Sequence, residues 1–201
     1  IAIVYIGLIA IVQTDMKKLI AYSSIAHMGF ATLGCFMVYE IFSGSGNLQY
    51  AYMSLEGSVI QMIAHAFGSG AMFLGVGMLA DRYYSHSRMI QDYRGVANRM
   101  PVFAAFFMLF AMSNVGLPGT AGFVGEFMVI MSAFQAHFWV ALIAATTLIL
   151  AASYTLWMYK RVFFGEVVSD HVAVMKDIGC IEKINYVLLA IGVFWVGLYP
   201  A

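Results

Sequence analysis

The stretch from Pro101 to His137 is apolar almost throughout, yet its middle reads Asn114-Val115-Gly116-Leu117-Pro118-Gly119-Thr120-Ala121-Gly122-Phe123-Val124-Gly125-Glu126. As one straight helix it would be about 55 Å long, against a hydrocarbon core of roughly 30 Å. Proline lacks the amide proton and clashes with the preceding turn. Glycines at 116, 119, 122 and 125 weaken the helix further, so a break is expected near Pro118. Two half-helices would then meet at a bend at membrane depth. Unsatisfied backbone in hydrocarbon is costly, so such a bend persists only where protein covers it or where it lines a wet cavity. Glu126 follows the break, and counting back from His137 puts it roughly 16 Å deep, close to the midplane. Broken helices with an ionisable group beside the break are the usual architecture of ion sites in transporters.

Composition fixes the solvent. The chain is 63% hydrophobic and 10% charged, with a mean hydropathy of +0.87, whereas soluble domains carry about 25% charged residues. An all-α polytopic membrane protein is expected, a bundle of transmembrane helices that includes one discontinuous helix broken near Pro118. The net charge is zero and no basic tract occurs, which excludes nucleic acid as a partner. Cys35 and Cys180 stand alone, without metal-ligand spacing and without implying a disulfide framework. No signal peptide is recognisable, and both ends read as cuts through a longer protein.

Read as a single membrane domain over residues 1–201, the chain has predicted spans at about 1–12, 19–38, 57–80, 101–137 (broken), 139–159 and 184–199. Residues 39–56, rich in Gly, Ser and Asn, are expected to be a loop. If 101–137 crosses once, the loops bearing Lys and Arg (13–18, 81–100 and 160–183) fall on one side. The loops near 45 and 137 fall on the other, which is the positive-inside pattern. Lys17, Lys18 and the loop arginines are expected to be ordinary anchors of that pattern.

Inside the spans, Ser23, Ser24 and His27 lie three or four residues apart and share a helix face. Ser58, Gln61, His65 and Ser69 make a polar stripe on the next span. His27 lies about 15 Å from the Lys17 end and His65 about 12 Å from Gly57, so both come out near the depth of Glu126. A lone histidine in an apolar helix is ordinarily a packing residue. Three titratable groups at one depth on three helices point instead to a lateral polar row through mid-membrane. No pair among His27, His65 and Cys35 has close ligand spacing, so a metal site there is only weakly supported.

The run Gln13-Thr14-Asp15-Met16-Lys17-Lys18-Leu19-Ile20-Ala21-Tyr22-Ser23-Ser24-Ile25-Ala26-His27-Met28-Gly29-Phe30 resembles the antiporter-like membrane subunits of respiratory complex I and of multisubunit cation/proton antiporters. Gln61-Met62-Ile63-Ala64-His65 and Gly116 to Phe127 are similar to the subunit M branch of that family, called chain 4 in mitochondria. Glu126 discriminates most, because related branches and the antiporters typically place a lysine in the second broken helix.

The resemblance implies that Glu126 is the terminal protonatable carboxylate of a relay and that His27 and His65 belong to its central axis, with Ser23, Ser24 and Gln61 as supporting polar groups. It further implies a proton-translocating subunit of NADH:quinone oxidoreductase. No cofactor would sit on this chain: NADH, flavin, iron-sulfur clusters and quinone would be held by other subunits. Its partners would be neighbouring antiporter-like subunits, the lipid bilayer and protons. Its location would be a bacterial plasma membrane or, alternatively, a mitochondrial inner membrane. The family's upstream glutamate and lysines have no counterpart here, so this stretch is expected to hold one half-channel of an inverted repeat. The alternatives are a cation/proton antiporter subunit and a membrane scaffold without transport.

Overall fold

The computed structural model describes residues 2–44, 46–83, 86–167 and 169–199. A π-helical turn (Ala2–Ile6) leads into α1 (Gly7–Ile11). The long helices α2 (Met16–Gly44) and α3 (Leu48–Arg82) follow. After a 3-10 turn (Ile90–Asp92) come the short α4 (Val96–Arg99), then α5 (Pro101–Val115), α6 (Ala121–Ala136) and α7 (Phe138–Phe163). A single turn, α8 (Asp170–Ala173), precedes α9 (Cys180–Leu198). Among the described residues the only strand-like pairing is an isolated bridge between Asp15 and Met89.

Four of these helices, α2, α3, α7 and α9, are long and apolar enough to cross a membrane by themselves. They overrun the spans predicted from hydropathy. The loop expected over 39–56 is not one: α2 continues to Gly44 and α3 starts at Leu48. Loop-like composition is overridden by packing. Met37 and Ile41 of α2 bury against Ala51 of α3 and Ala133 of α6, and the Asn47 side chain accepts the Tyr50 amide to cap α3. At 35 residues α3 would be about 52 Å long, so its ends stand well outside the hydrocarbon.

Small residues let the helices approach. Ser54 Oγ donates to the Gly34 carbonyl at 2.7 Å, which seats α3 directly on α2, while Ser58 Oγ turns back to the Ser54 carbonyl of its own helix at 2.8 Å. The order of contacts along α3 then settles how α5 and α6 run. Gly75 faces Phe107, Gly68 faces Ser113, Gln61 faces Gly125, and Gly57 faces Met128 and Val129. As α3 descends in number its neighbour ascends, so α5 and α6 together follow α3 antiparallel from end to end. They make one traverse, not a hairpin. The α9 helix covers the junction, with Gly197 against Gly119 and Thr120 and Tyr186 donating to the Ala71 carbonyl at 3.4 Å.

The loops bearing Lys and Arg are stitched together at one end of the bundle. Met16 N donates to the Arg88 carbonyl and Ile90 N to the Thr14 carbonyl, both at 2.9 Å, while Asp15 caps α2 through the Lys17 and Lys18 amides. Asp177 accepts the amides of Val102 and Phe103 at the start of α5. Arg82 pairs with Glu182 at 2.6 Å and donates to the Lys176 carbonyl, so it braces two loops rather than merely facing water. At the other end His137 meets Glu40 at 3.1 Å. In sealed vesicles, cysteines introduced by Gly46→Cys and His137→Cys in the full-length protein should react with an impermeant maleimide from one side, and Asn98→Cys from the opposite side. Labelling of position 137 from the same side as position 98, with position 46 opposite, would refute the single traverse.

Candidate functional site

The interruption between α5 and α6 closes its own backbone. Gly116, at φ +83°, ends α5 in the left-handed conformation: its amide bonds to the Ser113 carbonyl at 3.2 Å and the Leu117 amide to that of Met112 at 3.1 Å. Leu117-Pro118-Gly119-Thr120 then forms a tight turn. Gly119 sits at φ +90° in its third position, and the Thr120 amide returns to the Leu117 carbonyl at 3.0 Å. Gly122 lies so close to the Ser113 carbonyl that any Cβ would collide with it, which is how α6 can restart against the end of α5.

Glu126, in the second turn of α6, is 2% exposed. Its Oε1 lies 3.1 Å from Nδ1 of His27, itself 1% exposed, and 3.4 Å from Nε2 of Gln61. The carboxylate is clamped from both helices. A Cβ at Gly116 would stand 2.5 Å from Oε2, and one at Gly125 would stand 2.7 Å from the Gln61 amide nitrogen. The His65 ring lies 5.3 Å from that of His27, centroid to centroid. The structure thus brings together Glu126, His27, His65 and Gln61 from α2, α3 and α6.

On the far side of His27 lies a branch that the sequence reading did not single out. Tyr154 of α7 places its hydroxyl 3.4 Å from His27 Nε2 and accepts a bond from Ser23 Oγ at 3.0 Å. Asn114 Nδ2 donates to Ser23 Oγ and to Thr155 Oγ1, each at 3.2 Å. The amide donates through Nδ2 from Asn114 to Ser23, and Ser23 donates to the Tyr154 hydroxyl, which meets His27 Nε2. Nδ1 of the same ring faces Glu126 Oε1 and lies 3.4 Å from Gln61 Nε2, so the imidazole has an oxygen at each nitrogen. The sequence signal for this branch was slight: Tyr154 and Thr155 are adjacent polar groups on a mostly apolar span.

Ser24 does not join the site. Its hydroxyl returns to the Ile20 carbonyl at 3.0 Å, because a neighbour of Ser23 is turned about 100° around the helix. Ser58 and Ser69 of the predicted stripe likewise bond to their own helix, leaving only Gln61 and His65 to line the site. Three buried polar atoms here lack a protein partner among the described residues: Gln61 Oε1, His65 Nε2 and Glu126 Oε2. All three residues border one small cavity, closed further by Ser113 and Asn114, with room for the centre of about one water. Buried polar groups of this kind are ordinarily satisfied by ordered water, so a water linking His65 to Glu126 fits the chemistry of the walls. Among the described residues no group of three or more His, Cys, Asp or Glu could hold a metal ion.

Known proteins resemble this chain in sequence and in fold. The family described as NADH:quinone oxidoreductase/Mrp antiporter, TM, matches residues 1–151. NADH-quinone oxidoreductase subunit M of Rhodobacter capsulatus is 47% identical over 201 residues, covering all of this chain and 36% of the relative. NADH-ubiquinone oxidoreductase chain 4 of Marchantia polymorpha is 40% identical over 200 residues, covering all of this chain and 38% of the relative. The chain therefore spans little more than a third of the length of these relatives. A chain in the structure of respiratory complex I from Thermus thermophilus with bound NADH superposes with a TM-score of 0.84 at 28% identity, over all of this chain and 39% of the other.

Packing at the α3–α6 contact can be tested directly. In the full-length protein Gly125→Ala must push α6 off the Gln61 backbone and should cost about 1–3 kcal/mol, seen as a lower thermal midpoint. Gly70→Ala, whose Cβ would meet nothing within 4 Å, should leave the midpoint unchanged or raise it. Equal midpoints for the two variants would show that the contact is looser than described.

Proposed function

Because the chain belongs to the NADH:quinone oxidoreductase/Mrp antiporter transmembrane family, we propose that it is the proton-carrying part of a membrane subunit of NADH:quinone oxidoreductase, of the subunit M or chain 4 type. The observation that carries this reading is the contact of Glu126 with His27, both removed from solvent, where the short α6 packs against α2 and α3, two helices long enough to cross a bilayer. A single charge at that depth is expensive, and two opposite ones are tolerable only together.

The proposed mechanism follows from counting protons. The neutral pair holds two protons: one stays on His27 Nε2, and the other sits on His27 Nδ1 or on Glu126 Oε1 and need only cross a 3.1 Å contact. A third proton, arriving at His65 and passing through the water-sized cavity, gives the site a net positive charge in surroundings of low dielectric. Loss of the shared proton leaves a net negative one. Each of those states is reached when a charge nearby stabilises it. A cation moved toward or away from the axis elsewhere in the complex therefore switches Glu126 between loading and release toward the outer face. Imidazole suits the intermediate position because it changes charge at small cost near neutral pH.

The Tyr154 branch has a different task. Asn114 has no readily lost proton to hand on, so the branch ends there and does not conduct. It holds the His27 ring so that Nδ1 faces Glu126. Redox chemistry, with NADH, flavin, iron-sulfur clusters and quinone, would belong to other subunits, and neighbouring membrane subunits would be the partners. A bacterial plasma membrane is the proposed location, with a mitochondrial inner membrane as the alternative, since relatives of both the subunit M and the chain 4 type match this chain. A place in an Mrp-type antiporter is the alternative that the family description leaves open.

Glu126→Gln in the full-length protein tests the relay. The complex should assemble, oxidise NADH and lose most proton uptake in inverted membrane vesicles. Wild-type pumping by an assembled variant would exclude Glu126 as the carrier. Tyr154→Phe removes one hydrogen bond from His27, worth about 1 kcal/mol, and should slow coupled pumping by roughly fivefold without preventing assembly. No slowing would mean that the orientation of the His27 ring needs no such support.

A further inference from the structure

A second concave site lies outside the axis, where α7 leaves the membrane on the basic side. It is a cleft of about 390 Å³ between the segment around the 3-10 turn and the last turn of α7, bordered by Gln91, Arg94, Trp157, Lys160 and Arg161. That volume is within the range of roughly 300–1,000 Å³ that holds small ligands. No acidic residue lines it, and among the described residues no carboxylate lies within 4 Å of the three cationic groups.

The end of α7 explains part of this, since the partial negative charge of a helix C-terminus favours Lys160 and Arg161 there. It does not explain Arg94, which comes from another segment. The chain turns at Gly165 with φ +99°, and a Cβ at that position would stand 2.8 Å from Arg94 Nε, so the glycine is what lets the guanidinium lie over the turn and border the cleft. Lys160 Nζ and Arg161 Cζ each sit 5.9 Å from the Trp157 ring centroid, which steers both around one aromatic face. Three cations from two segments converge where an anion would bind.

The surroundings say which anion. Trp157 is half exposed at the level where tryptophans mark the edge of the hydrocarbon. From it an exposed face of α7 runs inward through Ile149 to Leu142, at positions that share one side of the helix. The distance from Leu142 to Trp157 is about 22 Å, longer than one leaflet's roughly 15 Å of hydrocarbon. A free phosphate would use the cations and leave this face idle. We infer that the cleft binds the phosphate-bearing headgroup of an anionic phospholipid in the leaflet on the basic side, with its acyl chains lying along Trp157 and Ile149. Basic pockets between transmembrane helices on the positive side are suited to such headgroups. The site is independent of the proton relay and rests only on the membrane orientation.

The test uses the full-length protein in its assembled complex, purified in mild detergent and supplied with phosphatidylglycerol that carries a photoactivatable group on an acyl chain. Adducts should map by mass spectrometry to peptides covering residues 142–164. Unlabelled phosphatidylglycerol should compete them away, while phosphatidylcholine at the same mole fraction and millimolar inorganic phosphate should not. Arg94→Gln, Lys160→Gln and Arg161→Gln should each weaken competition by roughly fivefold. Displacement by inorganic phosphate would reassign the cleft to free phosphate and overturn the lipid assignment. Equal competition by phosphatidylcholine, or absence of adducts at these residues, would overturn it as well. The competition arms need no variant, so they decide the matter even if a substitution prevents assembly.

Discussion

A carboxylate and an imidazole 3.1 Å apart and sealed from water can be held in this bundle only as a pair, and much of the packing can be understood from that requirement. Separating them would leave an uncompensated charge or an unsatisfied acid in a medium that solvates neither. Each partner is therefore fixed from behind. Gly116 and Gly125 bring backbone up to Glu126, and Tyr154 holds the remaining nitrogen of His27. The helices that carry them must approach more closely than large side chains allow, which accounts for Gly34, Ser54, Ser58, Gly57 and Gly125 along the α2–α3–α6 contacts. Close packing and buried charge support one another, since small residues exclude solvent and the excluded solvent strengthens the pair.

The gap between α5 and α6 serves the same end. A continuous helix would keep Glu126 in phase with the α5 face and carry every amide in its own ladder. The turn at Leu117–Thr120 satisfies its donors locally and lets α6 restart abutting Ser113. The amide donors at that restart and the carbonyl at the end of α5 then lie beside a cavity already lined by Asn114, Ser113 and Gly122. Irregular backbone at this depth is tolerable because α9 covers one side of it and the chain's own bonds close most of the rest. The basic end is built differently. There the loops are tied by carboxylates that cap helices, as Asp15 and Asp177 do, and by the Arg82–Glu182 pair, leaving Arg94, Lys160 and Arg161 to face outward around Trp157.

Much of the site was legible in the sequence because its signals are one-dimensional. Rise per residue places His27, His65 and Glu126 at one depth without any knowledge of helix contacts, and Pro118 with its flanking glycines marks where a helix stops. Failures came where a neighbour decides. Ser24 has the right spacing to His27, but its hydroxyl turns back to its own helix. Tyr154 and Asn114 gave little signal, since a tyrosine in an apolar span looks like any other packing residue until His27 is known to lie 3.4 Å from its hydroxyl. Residues 39–56 looked like a loop by composition, and packing against α2 and α6 made most of them helix.

By itself the sequence determined that the chain belongs in a bilayer, which loops share a face of it, that a helix must fail around Pro118, and which side chains are expensive enough at mid-depth to require a purpose. Those conclusions need only periodicity, hydropathy and the geometry of one helix at a time. Tertiary structure alone decided that Glu126 meets His27 rather than His65, that Gln61 and Tyr154 orient that contact, and that Arg94 joins Lys160 and Arg161 around one cleft. Such facts depend on the rotation of each helix about its axis. Rotation is set by how glycines and serines on different helices fit against one another, and no single segment contains that information.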